Sequence, residues 1–256
     1  MNLDKELKLC KELAIEAGKE ILKIYAMDFQ VEHKEDDSPI TLADKKANDL
    51  IVNGLIEAFP SYGILSEESK DTRERLDKDW CFIIDPLDGT KEFVKRNDEF
   101  TVNIGLAYKN KAVLGVIYVP VTEDLYYATR GNGSYYEKGS MKKMNRVSDI
   151  NDNIRILMSK SHTSEELLDL IKRNNIKDVK RVGSSLKGCL IAQGKAEIYY
   201  RYGLTMEWDT CAMQCIVEEA GGILRQLDDS EMTYNREDSF NRKGFYVINK
   251  KENRLR

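Results

Sequence analysis

Residues 80–94, WCFIIDPLDGTKEFV, are the stretch on which the fold turns. Residues 80–84 form an unbroken apolar run of strand length, the pattern of a strand buried on both faces. The run leads straight into Asp85-Pro86. Pro86 has no backbone N–H, so the ladder is expected to stop there, with Asp85 and Asp88 facing one side across a tight turn. Gly89 allows positive φ or a close backbone approach. If a helix begins at Thr90, the N–H groups near Gly89 and Thr90 can cradle an anion. Two carboxylates beside a phosphate-sized nest call for a divalent cation between them. The plain alternative for D-x-x-D-G is a capped turn after a strand. The full string DPLDGT would arise by chance in roughly 10⁻⁸ of windows at average residue usage, which argues against accident.

Upstream, Leu3, Leu7, Cys10, Ala14, Ala17, Ile21 and Ile24 recur at three- and four-residue steps and predict an amphipathic helix. Residues 31–40 (VEHKEDDSPI) read as a polar loop. Thr41 then starts a second helix, with Asp44 at the capping-box position and an apolar face of Ala47, Leu50, Ile51, Leu55 and Phe59 that runs to Pro60. Residues 63–66 are a short apolar run ending in Glu67-Glu68. Residues 100–107 and 112–119 predict two strands joined by a turn at 109–111, and 124–128 and 133–137 continue the antiparallel meander. The second half alternates differently: strand 154–158, helix 163–174, strand 179–182, helix 184–193, strand 196–201, helix 208–220, strand 244–248. No repeat or long linker is present, so two subdomains are expected, residues 1–140 and 141–256.

Composition narrows the function. The 256 residues carry 40 Lys and Arg against 44 Asp and Glu, a net charge of −4, which argues against a phosphate-backbone binder. No apolar run reaches ~18 residues, so no membrane span is expected, and the charged start MNLDKELKLC does not read as a signal peptide. Five Cys without a CxxC pair and only two His argue against zinc or a disulfide framework. The cytoplasm is the expected location. Any metal site must be built of carboxylate oxygens, which suit hard cations.

Taken one at a time, the other acids are ambiguous. Glu67-Glu68 reads either as a solvated loop or as a pair neutralised by a cation. Asp209, in Trp208-Asp209-Thr210, and Asp44 each read as helix caps. Cys211 and Cys215 read as core packing, and the Tyr126-Tyr127, Tyr135-Tyr136 and Tyr199-Tyr200 pairs as strand and core, with an adenine-stacking role left open.

Residues 63–69 (GILSEES), 85–94 (DPLDGTKEFV) and 208–222 (WDTCAMQCIVEEAGG) resemble, in order and spacing, the inositol-monophosphatase-like family of metal-dependent, lithium-sensitive phosphatases. The closer resemblance is to its 3′(2′),5′-bisphosphate nucleotidase branch, carried by residues 85–106, 159–162 (SKSH), 183–189 (GSSLKGC) and 199–203 (YYRYG). Where the inositol branch carries T-N-F after Gly-Thr, this chain has Lys91-Glu92-Phe93.

The resemblance implies an α/β fold, a layered αβαβα sandwich with the site between its two sheets. It implies Mg²⁺, two or three ions with Mn²⁺ as substitute and Li⁺ as inhibitor, held by Glu67, Asp85, the Leu87 carbonyl, Asp88 and Asp209. Asp44 and Thr90 match the pair that orients the attacking water, with Glu67 assisting in catalysis. On this reading water attacks in line and no phosphoenzyme forms. Substrate binding falls to Gly89, Thr90, Ser184 (or Ser185), Lys187, Arg201, His162 and Asp209, with Lys187 and Arg201 on a 5′-phosphate. Lys95 and Arg96 either steer the anion inward or form a plain surface. The implied reaction removes the 3′-phosphate of 3′-phosphoadenosine 5′-phosphate, a small-molecule ester, and leaves AMP. No nucleic-acid partner is expected, and a homodimer is allowed. Two alternatives stand beside it: an inositol or sugar-phosphate phosphatase with the same metal chemistry, and a non-catalytic cation- or nucleotide-binding module.

Overall fold

The computed structural model describes residues 1–34 and 39–255. Helix α1 (Asp4–Tyr25) buries the predicted stripe, with Leu13 added to it and Leu7 only partly covered. Strands β1 (Val31–His33) and β2 (Pro39–Thr41) pair antiparallel. They replace part of the expected loop; residues 35–38 of that expectation lie outside the described residues. Three-residue strands of polar composition leave no periodicity to read. Helix α2 (Leu42–Ala58) starts on the expected capping box.

Strand β3 (Gly63–Ser66) lies parallel to β4 (Trp80–Asp88). A five-residue helix α3 (Thr90–Val94) follows, then β5 (Thr101–Tyr108), β6 (Lys111–Val119), β7 (Asp124–Thr129), β8 (Ser134–Lys138) and β9 (Met141–Met144), an antiparallel meander that completes a seven-stranded sheet in chain order. Strand β9 was not expected; its MKKM sequence is exposed throughout and carries no alternation. The β5–β6 turn is two residues, Lys109 and Asn110, both at positive φ, which suits the twist of a hairpin.

The second half supplies β10 (Arg155–Ser159), α4 (Glu165–Arg173), β11 (Asp178–Val182), α5 (Leu186–Ala192), β12 (Ile198–Arg201), α6 (Cys211–Glu219), β13 (Ile223–Gln226) and β14 (Phe245–Ile248). The order in the five-stranded sheet is β11-β10-β12-β14-β13, with β10 parallel to β11 and β12, and β14 antiparallel to both its neighbours. The unpredicted β13 gives β14 its second partner.

One strand departs from expectation in a way that builds the site. Strand β4 does not end at Asp85. Its pairing with β5 continues through Pro86 to Asp88, with a shift of one residue between the pairs Asp85–Asn103 and Asp88–Thr101. A bulge absorbs the donor that Pro86 lacks. Residues three apart in a regular strand point to opposite faces; the extra residue returns Asp85 and Asp88 to the same side.

The layers run α1 and α2, the seven-stranded sheet, α5 and α6, the five-stranded sheet, then α4. This is the expected α/β/α/β/α sandwich. Helix α6 sits hard against the larger sheet: a Cβ on Gly115 would lie 2.2 Å from the Ala212 carbonyl oxygen, and one on Gly105 2.6 Å from Cys211 Sγ. That contact fixes the start of α6, and Asp209 with it. All five cysteines are buried and free. Tyr126, Tyr127, Tyr199 and Tyr200 are buried in the cores. Among the described residues no helix is long and apolar enough to cross a membrane.

Candidate active site

A cleft of about 450 Å³ opens where the C-terminal end of β4, the start of α5 and the turn before α6 meet. One end of it is acidic. Asp85, Asp88 and Asp209 bring carboxylate oxygens within 4.8 Å of one another, and Glu67, just past β3, lines the same wall. Each is held from behind. Asp85 Oδ1 accepts the Leu87 N–H at 3.1 Å. Asp88 Oδ2 accepts the Ser185 N–H and hydroxyl, both at 2.6 Å, and Asn103 Nδ2 at 3.1 Å. Asp209 Oδ2 accepts the Met206 N–H at 2.6 Å.

Crowding shows in the protonation. Burial, then the charges of Glu67, Asp88 and Asp209, hold Asp85 well above the usual carboxylate range. Burial and Asp88 push Asp209 up to about 8. Burial raises Glu67 despite its partner Lys34, whose Nζ lies 2.8 Å from Glu67 Oε1 and 2.6 Å from Glu68 Oε1. Such a group of carboxylate oxygens, Asp85 buried and the others half-buried, fits a hard divalent cation.

This crowding carries a pH signature. Acids whose pKa is raised on folding hold more protons in the folded than in the unfolded chain between about 4 and the folded value. Stability of the metal-free protein therefore falls as pH rises through that window, toward about 8 for Asp209. Melting curves of chelator-treated protein are expected to shift down from pH 5 to pH 8, and added divalent cation to raise the midpoint more at pH 8 than at pH 5. A cation effect equal at both pH values would mean that these acids do not share an ion.

Behind the acidic end, Thr90 and Asp44 are linked. Thr90 Oγ1 donates to Asp44 Oδ1 at 3.0 Å, while Asp44 Oδ2 accepts the Thr41 N–H at 2.7 Å and the Thr41 hydroxyl at 2.6 Å. The cap of α2 is thus also a polariser of Thr90. Burial raises the Asp44 pKa, opposed by these hydrogen bonds.

Basic side chains line the same cleft. Lys187 is buried, with Nζ on the Val182 and Ser184 carbonyls and 5.0 Å from the Tyr199 ring centre; burial brings its pKa down to about 8. Arg201 donates from Nη2 to the Leu204 carbonyl at 3.2 Å. Its Nε is buried and has no partner among the described residues, an orphaned donor that an anion would satisfy. His162 Nε2 lies 3.3 Å from Lys91 Nζ. Partial burial, then Arg201, Lys91, Lys187 and Lys95, bring the imidazole down to about 4, so it is neutral at pH 7.

The structure therefore brings Glu67, Asp85, Leu87, Asp88, Gly89, Thr90, His162, Ser184, Lys187, Arg201 and Asp209 to one cleft, with Asp44 directly behind Thr90. Gly89 has φ +92°, as its position required, and α3 begins after it. Arg96 does not face the cleft: it donates to the Tyr25 and Met27 carbonyls and lies over the Tyr25 and Phe29 rings.

Sequence reading missed Lys34, Asn103 and Glu207, and it singled out Glu92 without a structural role. Lys34 sits in the polar stretch read as a loop. Asn103 carried a signal, a lone polar residue in the buried run FTVNIGLA. Glu207 is fully buried before Asp209, accepting the Asn235 and Arg236 N–H groups at 2.6 and 2.9 Å; those donors are 28 and 29 residues away, and no local pattern marks them.

Comparison with known proteins accords with this geometry. The inositol monophosphatase family model matches residues 2–252. The 3′(2′),5′-bisphosphate nucleotidase CysQ of Salmonella typhimurium is 39% identical over 241 residues, 92% of this chain and 96% of that protein. The nucleotidase of the same name from Buchnera aphidicola is 41% identical over 247 residues, 94% of this chain and 92% of its own length. The crystal structure of CysQ from Bacteroides thetaiotaomicron, a bacterial member of the inositol monophosphatase family, superimposes with a TM-score of 0.85 at 37% identity and covers 98% of this chain and all of that one, 100%.

Proposed function

This chain belongs to the inositol monophosphatase family, and from that premise we propose that it is a 3′(2′),5′-bisphosphate nucleotidase that removes the 3′-phosphate of 3′-phosphoadenosine 5′-phosphate to leave AMP. One observation carries the substrate: a single cleft is lined both by the carboxylates and by Lys187 and Arg201, whose Nε has no partner among the described residues. A substrate with two phosphates answers both groups. A monoester of inositol would leave the basic group without an anion.

Glu67, Asp85, the Leu87 carbonyl, Asp88 and Asp209 are the groups that would hold divalent cations, Mg²⁺ by the hardness of the ligands, two or three in number, with Mn²⁺ as substitute and Li⁺ as inhibitor. When bound, such ions neutralise phosphate charge and acidify water. The chain's own part is positioning and proton handling, which dominate phosphoryl transfer. Thr90, with its hydroxyl proton directed at Asp44, leaves an oxygen lone pair free to accept a hydrogen bond from water in the cleft; as that water loses its proton to Thr90 Oγ1, the Thr90 proton passes to the Asp44 carboxylate. Attack is then in line, and no side chain is phosphorylated. A site that only bound cations would have no use for this pair. Lys187 and Arg201 hold the 5′-phosphate, while Ser184 and the neutral His162 line the approach. The five free, buried cysteines accord with a cytoplasmic enzyme.

Phosphate release from adenosine 3′,5′-bisphosphate and from myo-inositol 1-phosphate, measured side by side with Mg²⁺, tests the reading. The bisphosphate is expected to be preferred at least about tenfold in kcat/KM, the value of one charged hydrogen bond. Equal or better turnover of the inositol ester would sink the substrate and leave a phosphatase.

A further inference from the structure

The mechanism above does not use Lys91-Glu92-Phe93, the stretch in which this chain departs from the inositol branch. Phe93 is buried against Tyr25, Phe29 and Phe100, with ring centres 5.0, 4.7 and 5.2 Å away, so α3 has a rigid base. Glu92 is also buried, yet it faces the cleft. Its Oε1 accepts the Ser161 hydroxyl at 2.5 Å, across 69 residues of sequence and from one sheet layer to the other. Contacts on either side run the same way. Lys91 meets His162, and Glu99 Oε2 forms an ion pair with Lys160 Nζ at 3.0 Å and accepts the Gly183 N–H at 2.6 Å. Gly183 has no room for a side chain, since a Cβ there would lie 2.6 Å from the Glu99 carbonyl and 2.8 Å from Glu92 Cγ.

We propose that Glu92 and Ser161 are a positioning pair that fastens the segment after β10 to helix α3 after β4, and so sets the spacing between the acidic and the basic side chains of the cleft. The proposal rests on the bisphosphate reading and names what makes this site measure a second phosphate. Neither side chain need touch the substrate: Ser161 carries His162, whose N–H is held on Ser159 Oγ at 3.1 Å, and Glu92 carries Lys91. The length of the side chain matters. A carboxamide one methylene shorter at position 92 cannot span to Ser161, whereas glutamine can.

The test uses the full-length Mg²⁺-loaded enzyme. Glu92→Ala, Glu92→Asn and Ser161→Ala are each expected to raise KM for adenosine 3′,5′-bisphosphate about tenfold, with KM for a simple monoester, p-nitrophenyl phosphate, changed less than about twofold. Glu92→Gln should stay near wild type because its amide oxygen still accepts the Ser161 hydroxyl. The double variant Glu92→Ala/Ser161→Ala should be no worse than either single one. Hydrogen exchange of the amides at 160–163 should quicken in the Ala and Asn variants and not in Gln. Additive single effects, an equal KM shift for the monoester, or unchanged exchange would each overturn the pair. A wild type that shows no preference for the bisphosphate would remove the substrate reading instead, and the exchange and double-variant comparisons would still decide whether the fastening exists.

Discussion

Asp85→Asn is expected to lower Mg²⁺-dependent phosphate release by at least about 10³-fold, the upper end of what one oriented charge supplies at a transition state, without destabilising the metal-free protein. Asn keeps the shape and the oxygen that accepts the Leu87 N–H. It removes a fully buried carboxylate whose pKa is already forced up by burial and by Glu67, Asp88 and Asp209. The like-charge cost in the empty site is thereby relieved. The melting midpoint in chelator should equal or exceed that of wild type, while the rise caused by Mg²⁺ should shrink or vanish. Phosphate release and paired melting curves give both numbers. An Asn variant that keeps turnover within tenfold of wild type together with a full Mg²⁺-dependent rise would remove Asp85 from the metal site.

The second large effect is on specificity. Arg201→Met should lower kcat/KM for adenosine 3′,5′-bisphosphate roughly 10- to 100-fold, the range for a lost charged hydrogen bond. The loss should fall mainly on KM, with inositol 1-phosphate little affected. Among the described residues the Arg201 Nε has no partner and Nη2 has one carbonyl, so removing the guanidinium should cost little stability. Lys187 shares the load: burial brings it down to about 8, so an alkaline rise in KM near that pH should appear for the bisphosphate and not for the monoester. Equal losses on both substrates would mean that Arg201 serves the reacting phosphate or the fold.

Much of this was legible before any coordinates. The stripe of α1, the capping box of Thr41 and Asp44, the β5–β6 hairpin and DPLDGT are local patterns, and local patterns are set by neighbours within a few residues. The strands that were missed are short, polar or at an edge: β1, β2, β9 and β13 show no alternation to read. The end of β4 was misread because Pro86 predicts a break, while the ladder recovers through a bulge that depends on β5.

The same division holds for function. The sequence by itself determined which ligand chemistry is on offer, carboxylate oxygens and no soft-metal set, because residue types are all that such an argument needs; the assignment of Glu67, Asp85, Asp88 and Asp209 to a cation came from the family resemblance. Only the tertiary structure decided that a bulge in a continuing strand, not a turn, brings Asp85 and Asp88 to one face, that the Thr90 hydroxyl lies within hydrogen-bond reach of Asp44, that Lys34 pairs with Glu67, and that Glu92 reaches Ser161. Each of these depends on a distance of a few ångströms between residues separated by up to 69 positions. Such distances are set by how sheets and helices pack against one another, by a one-residue bulge and by a helix seated on glycines, and no local pattern in the chain records them.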